Sequence, residues 1–204
     1  MLPSELFYEY THKTCVYNLN LISNISSIMK RGIVCHDNAQ KLKDHESIAM
    51  VEVQDKRALV RVPNGLRLHS YANLYFDYHN PMLFKRKNEA ERLCILGVDS
   101  RVLDLPNCVV SDRNAASDYV MFYDPSEGVQ KLDFNTIYAQ YWNSDDQIAQ
   151  WIQKSIKCAE VLVPYRVPYD YIVKACVLDQ EAKNRLIDAG FDKPVVVNRN
   201  VFFR

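Results

Sequence analysis

Neither of the common phosphate cradles occurs in this sequence: it holds no GxGxxG, and no GxxxxGK followed by Ser or Thr. That excludes the nucleotide-binding folds built on a glycine-rich turn at a helix start. GxSxG is missing too, which removes the usual hydrolase elbow. The five histidines, His12, His36, His45, His69 and His79, are scattered, and none is paired at helical spacing for a metal. The six cysteines, at positions 15, 35, 94, 108, 158 and 176, form no CxxC pair. Metal catalysis and triad hydrolysis are therefore not expected, and no metal is assigned. No apolar run reaches the ~20 residues of a membrane span. The opening MLPSELFYEY is acidic and mixed, unlike a signal peptide. Charge of one sign is not in excess either: Lys plus Arg is 25 and Asp plus Glu is 25. A neutral total tells against a broad nucleic-acid-binding face but leaves room for a local basic cleft. There is no internal repeat and no low-complexity segment.

What is present suits a folded core. The chain has 204 residues, 48% of them hydrophobic, enough for one domain over residues 1–204. Thirteen tyrosines serve either as core or as platforms for flat ligands. Several cysteines sit in apolar runs such as Leu93-Cys94-Ile95, where reduced thiols are common, so a cytoplasmic setting is expected.

Residues 1–15 show no period and read as a flexible arm or an edge strand. Val16–Leu21 alternates as a strand does. A helix should follow, capped by Ser23 or Asn24 and stopped at Gly32. Residues 35–65 read as a long polar loop with a short helix around Ser47–Gln54, and long ordered loops are often functional. A strand through SYANLYF ends at a turn over His79-Asn80-Pro81. KRKNEAER reads as a solvated helix face or a turn. Strands are expected at Arg92–Val98, Asn107–Val110 and Cys158–Val163, and a strand or a helix at Tyr171–Val177. LDFNTIYAQYW, DDQIAQWIQKS and DQEAKNRLIDAG carry helical spacing, the second through Ile148, Trp151 and Ile152. VVVNRNVFF closes as strand. Strands and helices mix without a βαβ rhythm, so the class is α+β.

The chemistry left is that of carboxylates, arginines, amides and aromatic rings. That set suits the making and trapping of an oxocarbenium ion at a sugar carbon, with an arginine anchoring a pyrophosphate. Glu160, directly before the apolar run Val161-Leu162-Val163, would stabilise the cation. On local sequence alone the plainer reading is a surface charge at a strand edge.

Five segments, in order, carry a resemblance: VYNLNLISNISSIMKRGIVCHDNA, SYANLYFDYHNPMLF, VVSDRNAAS, FYDPSEGVQKLDFNTIYAQYWN and CAEVLVPYRVPYDYI. Together they resemble the DarT-type DNA ADP-ribosyltransferases, the toxin halves of bacterial toxin–antitoxin pairs. The resemblance implies an ADP-ribosyltransferase-like split, mainly antiparallel sheet with NAD in a central cleft. It implies transfer of ADP-ribose to a base of single-stranded DNA, thymine in one branch and guanine in another. The implied partners are that DNA and a cognate antitoxin of the ADP-ribosyl hydrolase type, with no membrane.

By the same resemblance Glu160 is the catalytic glutamate, and the segment from Tyr138 to Cys158 lies over the acceptor. The functional arginine falls before the SYANLYF strand; Arg57 is preferred to Arg61 by its distance from that strand. Tyr17, Asn18, Asn20 and Asn24 fall on the first NAD segment, and Tyr71, Tyr75, Phe76 and Met82 on the second. Asn114 would face the DNA, or cap a helix. Tyr138, Trp142, Lys154, Lys157 and Arg166 would supply stacking rings and charge for single-stranded DNA, though these rings could equally bury a helix face. The family usually has Thr-His where this chain has Asn20-Leu21, and leucine cannot donate the histidine's hydrogen bond. That departure hints at a divergent branch, such as a guanine modifier. Two competing readings remain: transfer to RNA or protein, and a degenerate member that binds nucleic acid without turnover.

Overall fold

The computed structural model describes residues 1–43, 45–47, 51–143 and 145–203. The chain opens with helix α1 (Pro3–Thr11), where an arm or edge strand was expected. Pro3 occupies the first helical turn, where a missing N–H costs nothing. The helix docks rather than floats. Ser4 donates its hydroxyl to Asp104 at 2.6 Å, and Phe7 is fully buried against Phe76 and Phe134, 5.7 and 5.8 Å between ring centres.

Strand β1 (Cys15–Leu21) leads through a 3-10 turn into α2 (Ile25–Arg31), which stops at Gly32 as the sequence predicts. The expected cap is absent: neither Ser23 nor Asn24 bonds to the helix, and both reach Glu46 instead. Gly32 has φ +77°, and a Cβ there would lie 2.1 Å from the Val167 carbonyl oxygen. It joins α2 to β2 (Ile33–Val34), which precedes α3 (His36–Ala39). The helix expected around Ser47–Gln54 appears as α4 (Val51–Leu59); residues 48–50 lie outside the described residues.

β3 (Tyr71–Tyr75) is followed by α5 (Pro81–Lys85), whose start is capped by the Asn80 side chain. The KRKNEAER run is a 3-10 helix over Lys87–Arg92. Then come β4 (Leu93–Asp99), β5 (Val109–Ser111) and β6 (Phe122–Tyr123). The sequence reading missed α6 (Pro125–Lys131), whose Asp124 cap and first-turn Pro125 were its signals. The helix expected through Trp142 is a single turn, α7 (Phe134–Ile137). α8 (Gln147–Ile156) has the expected spacing, but its Ile148, Trp151 and Ile152 are exposed. The chain ends through β7 (Glu160–Pro164), β8 (Arg166–Val167), β9 (Ile172–Val177), α9 (Gln180–Asp188) and β10 (Val195–Val197).

Eight strands form one sheet in the order β10-β9-β4-β1-β3-β7-β5-β6, antiparallel apart from the β9–β10 pair. β2 and β8 pair separately. The middle of the large sheet is nearly unzipped. β1 pairs with β4 at seven positions, and β3 with β7 at five, yet β1 and β3 meet only at Tyr17 and Tyr75. The sheet is thus two halves joined at one point, the split α+β architecture expected. β7 sits inside its half, covered on both faces, which explains its continuous apolar run.

Gly32 occupies backbone space that side-chain-bearing residues do not enter, beside the β2–β8 pair. Gly32→Ala should lower the unfolding free energy by about 3 kcal/mol, read as a shifted urea midpoint; an unchanged midpoint would show that the α2–β2 junction can relax.

Candidate active site

The open end of the split is lined by polar side chains from both halves. Asn18, buried, donates its amide to the Asn73 carbonyl across the gap at 3.1 Å. Asn20 donates to Asn18 Oδ1 at 3.1 Å, and Asn24 donates to Asn20 Oδ1 at 2.8 Å. Asn24 then exchanges bonds with the backbone of Glu46 at 2.8 and 3.1 Å. These amides form a chain from the sheet to the loop before α4, rather than a strand face turned to water.

Glu160, the first residue of β7, is 1% exposed. A carboxylate so placed needs partners for its lone pairs. The Arg57 guanidinium supplies one Nη1 to both oxygens, at 3.0 and 3.1 Å. The Ala115 N–H donates to Oε1 at 2.9 Å, and Ser111 Oγ accepts the Glu160 N–H at 3.2 Å. The SDRNAAS segment therefore wraps the glutamate, and its Asn114 side chain closes the turn by accepting from the Ala116 N–H. Arg57 is itself 7% exposed. Burial alone would lower its guanidinium, but the Glu160 carboxylate outweighs that and holds it above its ordinary value. Arg61 bonds the Gly65 carbonyl at 3.5 Å in its own turn, so Arg57 is the arginine at the site.

Two cavities meet at Arg57. One, about 180 Å³, is lined by Asn18, Gln54, Arg57, Asn73, Tyr75, Met82, Asn114 and Cys158, among others. The other, about 120 Å³, shares Asn18, Gln54, Arg57 and Asn73 and adds Asn20, His36, His45, His69 and Tyr71. Tyr75 lies opposite Glu160 in the β3–β7 pairing. Burial first, and the charge of Glu160 second, raise its phenol, so it stays a neutral donor. The histidines were read as scattered, but folding brings His36 and His69 together with ring centres 4.1 Å apart. Burial lowers both below their ordinary value. No local spacing could have shown this, because the two rings come from α3 and from the turn before β3. Gln54 Oε1 and His69 Nε2 are buried here with no hydrogen-bond partner among the described residues. Two such orphaned atoms beside an arginine fit a polar ligand that would complete them.

Several expected site residues lie elsewhere. Tyr17 points away from both cavities and packs edge-on against Tyr78 at 4.9 Å. Phe76 is fully buried in the core. Asn24 stands behind the cavities as the last member of the amide chain. Leu21, at the departure from the family's Thr-His, is buried in an apolar cluster, and Asn20 takes the polar position. Tyr138 stacks on Phe134 with Lys13 over its ring, so it belongs to the packing under the loop. Arg166 is exposed on the separate β2–β8 pair. Lys157 is not a DNA-facing charge: it is 0% exposed, donates to the Ile137 and Ala139 carbonyls at 2.7 Å each, and lies 3.4 Å from Asp77. Trp142 (8% exposed) and Lys154 line a third, larger cavity of about 570 Å³.

A sheet split at one residue pair, with a buried carboxylate at the start of the strand that pairs with one lip of the split, defines an ADP-ribosyltransferase fold. The chain belongs to the DarT family, described as ssDNA thymidine ADP-ribosyltransferase, whose model matches residues 17–203. A DNA ADP-ribosyl transferase of Thermus aquaticus is 28% identical over 96% of this chain and 91% of its own length. A DNA ADP-ribosyl transferase–DNA ADP-ribosyl glycohydrolase fusion protein of Thermosipho africanus is 28% identical over 91% of this chain, which spans about half of it (46%). Among solved structures, Thermus sp. 2.9 DarT in complex with ADP-ribosylated ssDNA superposes with a TM-score of 0.81 at 23% identity, over 95% of this chain and 98% of that one. Thermosipho africanus DarTG in complex with ADP-ribose gives 0.79 at 27% identity, over 94% and 51%. No helix among the described residues is long and apolar enough to cross a membrane.

Removing the cation under the loop would take the lysine donor from Asp77 Oδ2 and from two carbonyls, Asp77 Oδ1 keeping the His79 N–H. Lys157→Met should therefore cost about 3 kcal/mol of stability, read by urea unfolding; a loss below about 0.5 kcal/mol, within the range of ordinary surface changes, would mean that these bonds are not made in solution.

Proposed function

We propose that this chain transfers the ADP-ribosyl group of NAD⁺ to a base of single-stranded DNA, thymine in the first instance, and acts as a bacterial toxin in the cytoplasm. The observation that carries this reading is the Arg57–Glu160 pair at the mouth of the split sheet. The family match supports it, as do the relatives named for DNA ADP-ribosyl transfer. Thermus sp. 2.9 DarT has been solved with NAD⁺ on the same fold. The six cysteines are all free thiols, which fits a reducing compartment. The fusion protein of Thermosipho africanus joins transferase and glycohydrolase in one chain. That supports a glycohydrolase as the antitoxin partner here.

In this reading Arg57 turns its positive charge to the pyrophosphate or ribose of the dinucleotide, with Gln54 and His69 completing polar contacts that the protein leaves open. Glu160 Oε1 accepts from both the Ala115 N–H and Arg57, while among the described residues Oε2 accepts from Arg57 alone. Oε2 is thus the oxygen with acceptor capacity left for a ribose hydroxyl, once the ligand reaches this buried carboxylate. As the C1′–N bond breaks, its electron pair passes to the nicotinamide nitrogen and discharges that ring. The positive charge moves to the ribose, beside the carboxylate. A ring nitrogen of the base attacks C1′, and its proton passes to Glu160 and on to solvent. Asn114 and Met82 line the cavity where the acceptor would enter.

Glu160→Ala should lower transfer to DNA at least ~10²-fold, as for loss of one transition-state stabiliser, and Arg57→Ala should raise the KM for NAD⁺. The assay follows labelled NAD⁺ against DNA, RNA and protein acceptors, with mass spectrometry of the nucleosides. Transfer to RNA or protein alone would replace the acceptor; unchanged turnover in Glu160→Ala would overturn the mechanism.

A further inference from the structure

The third cavity, larger than the two at Arg57, is not used by the chemistry above. It is walled by Phe84, Tyr141, Trp142 and Phe203, with Lys85 and Lys154 among its lining residues. At about 570 Å³ it falls in the size range of small-ligand sites. It adjoins the cavity of Arg57 and Asn114, for Pro81 and Lys85 line both. We propose that it is the subsite for the nucleotide next to the modified base, the base stacking on Phe84 and Tyr141 and its phosphate meeting Lys85 and Lys154. This rests on the proposed transfer to single-stranded DNA and extends it to sequence context.

Three features select this occupant. The first is continuity: a strand whose acceptor base enters beside Asn114 must place its neighbour within one nucleotide of that point, and the cavity begins at the shared residues. The second is ring geometry. Phe84, Trp142 and Phe203 brace one another edge to face, with centres 5.3 to 6.3 Å apart. The Phe84 ring is 44% exposed and Tyr141 75% exposed. Lys87 Nζ lies over the Phe84 ring, 5.3 Å from its centre, and partly exposed rings of this kind are what a flat base stacks on. The third is charge. Among the described residues no carboxylate lines the cavity, and the charged lining residues are both lysines. In a chain of zero net charge, that bias is local and matches a phosphodiester.

Trp142 fixes the shape of this wall. Lys157 Nζ lies 5.5 Å from its ring centre, and the same ammonium holds the carbonyls of the preceding loop. The platform is therefore built before DNA arrives, which lowers the cost of ordering it.

The test uses a short single-stranded oligonucleotide with one thymine, and two copies in which the base 5′ or 3′ of it is replaced by an abasic site. Transfer is measured at limiting DNA. One abasic copy should lose roughly ten- to a hundredfold in kcat/KM, as for one lost stack. Phe84→Ala or Tyr141→Ala on the intact oligonucleotide should lose a similar factor with the KM for NAD⁺ unchanged. Each variant combined with that abasic copy should lose little more. Full additivity, or no loss with either abasic copy, overturns the subsite while leaving the transfer reaction standing. No transfer to any of the intact oligonucleotide by the unaltered protein overturns the functional reading, and this subsite with it.

Discussion

A carboxylate with 1% exposure is costly in a protein interior unless it is paired and hydrogen-bonded. Glu160 meets that condition through three stretches of chain that are far apart in sequence: Arg57 from α4, Ala115 from the SDRNAAS turn, and its own strand. The arrangement is a weak source of net stability, because desolvation offsets most of the attraction. Its value is positional. Folding cannot place one member without the others, so the chain that reaches this state has already brought the two cavities around Arg57 together.

The split sheet makes that site accessible. Two fully zipped halves would have paired the facing edges of β1 and β3 and left no gap. Because the pairing stops at Tyr17 and Tyr75, the main-chain groups of β3 beyond that point need other partners, and Asn18 supplies one by reaching the Asn73 carbonyl. The amides of Asn20 and Asn24 continue this to Glu46, whose carboxylate meets Arg92 at 2.5 Å. The opening of the cleft and the polarity of its floor thus have one origin, a missing strip of backbone pairing filled in by short side chains.

This also marks how much was legible in the sequence. Strands with an unbroken apolar run or alternation, such as β1, β4 and β7, were readable, as was the Gly32 stop, because their signals are local. Glu160 and Arg57 were reached through motif resemblance, and the structure joins them at 3.0 Å. What local pattern could not show was direction. Lys157, Trp142 and Tyr138 sit in a segment rich in charge and rings, which reads as a nucleic-acid face. Folding turns Lys157 wholly inward and stacks Tyr138 on Phe134, while Trp142 stays in the wall of the third cavity. The error runs the other way in α8, where Ile148, Trp151 and Ile152 share the spacing of a core stripe yet face outward. The pairing of His36 with His69 was equally hidden, since it depends on α3 and the turn before β3 meeting in space.

The inward turn of Lys157 explains something that a surface lysine could not. Burial pushes Asp77 up and Lys157 down, each toward its neutral form, and their attraction opposes both shifts. The ammonium nevertheless has two carbonyls and a carboxylate oxygen around it, so its donors are filled. Those carbonyls belong to the loop that carries Trp142, while Asp77 ends the segment after β3 and Lys157 lies three residues before Glu160 on the same chain. The loop that walls the third cavity is therefore anchored to the strand that holds the carboxylate, through a bond that water does not weaken. Any displacement of that loop would strip a buried cation of its ligands, which makes the separation between the two sites a fixed property of the fold rather than one a bound strand must create.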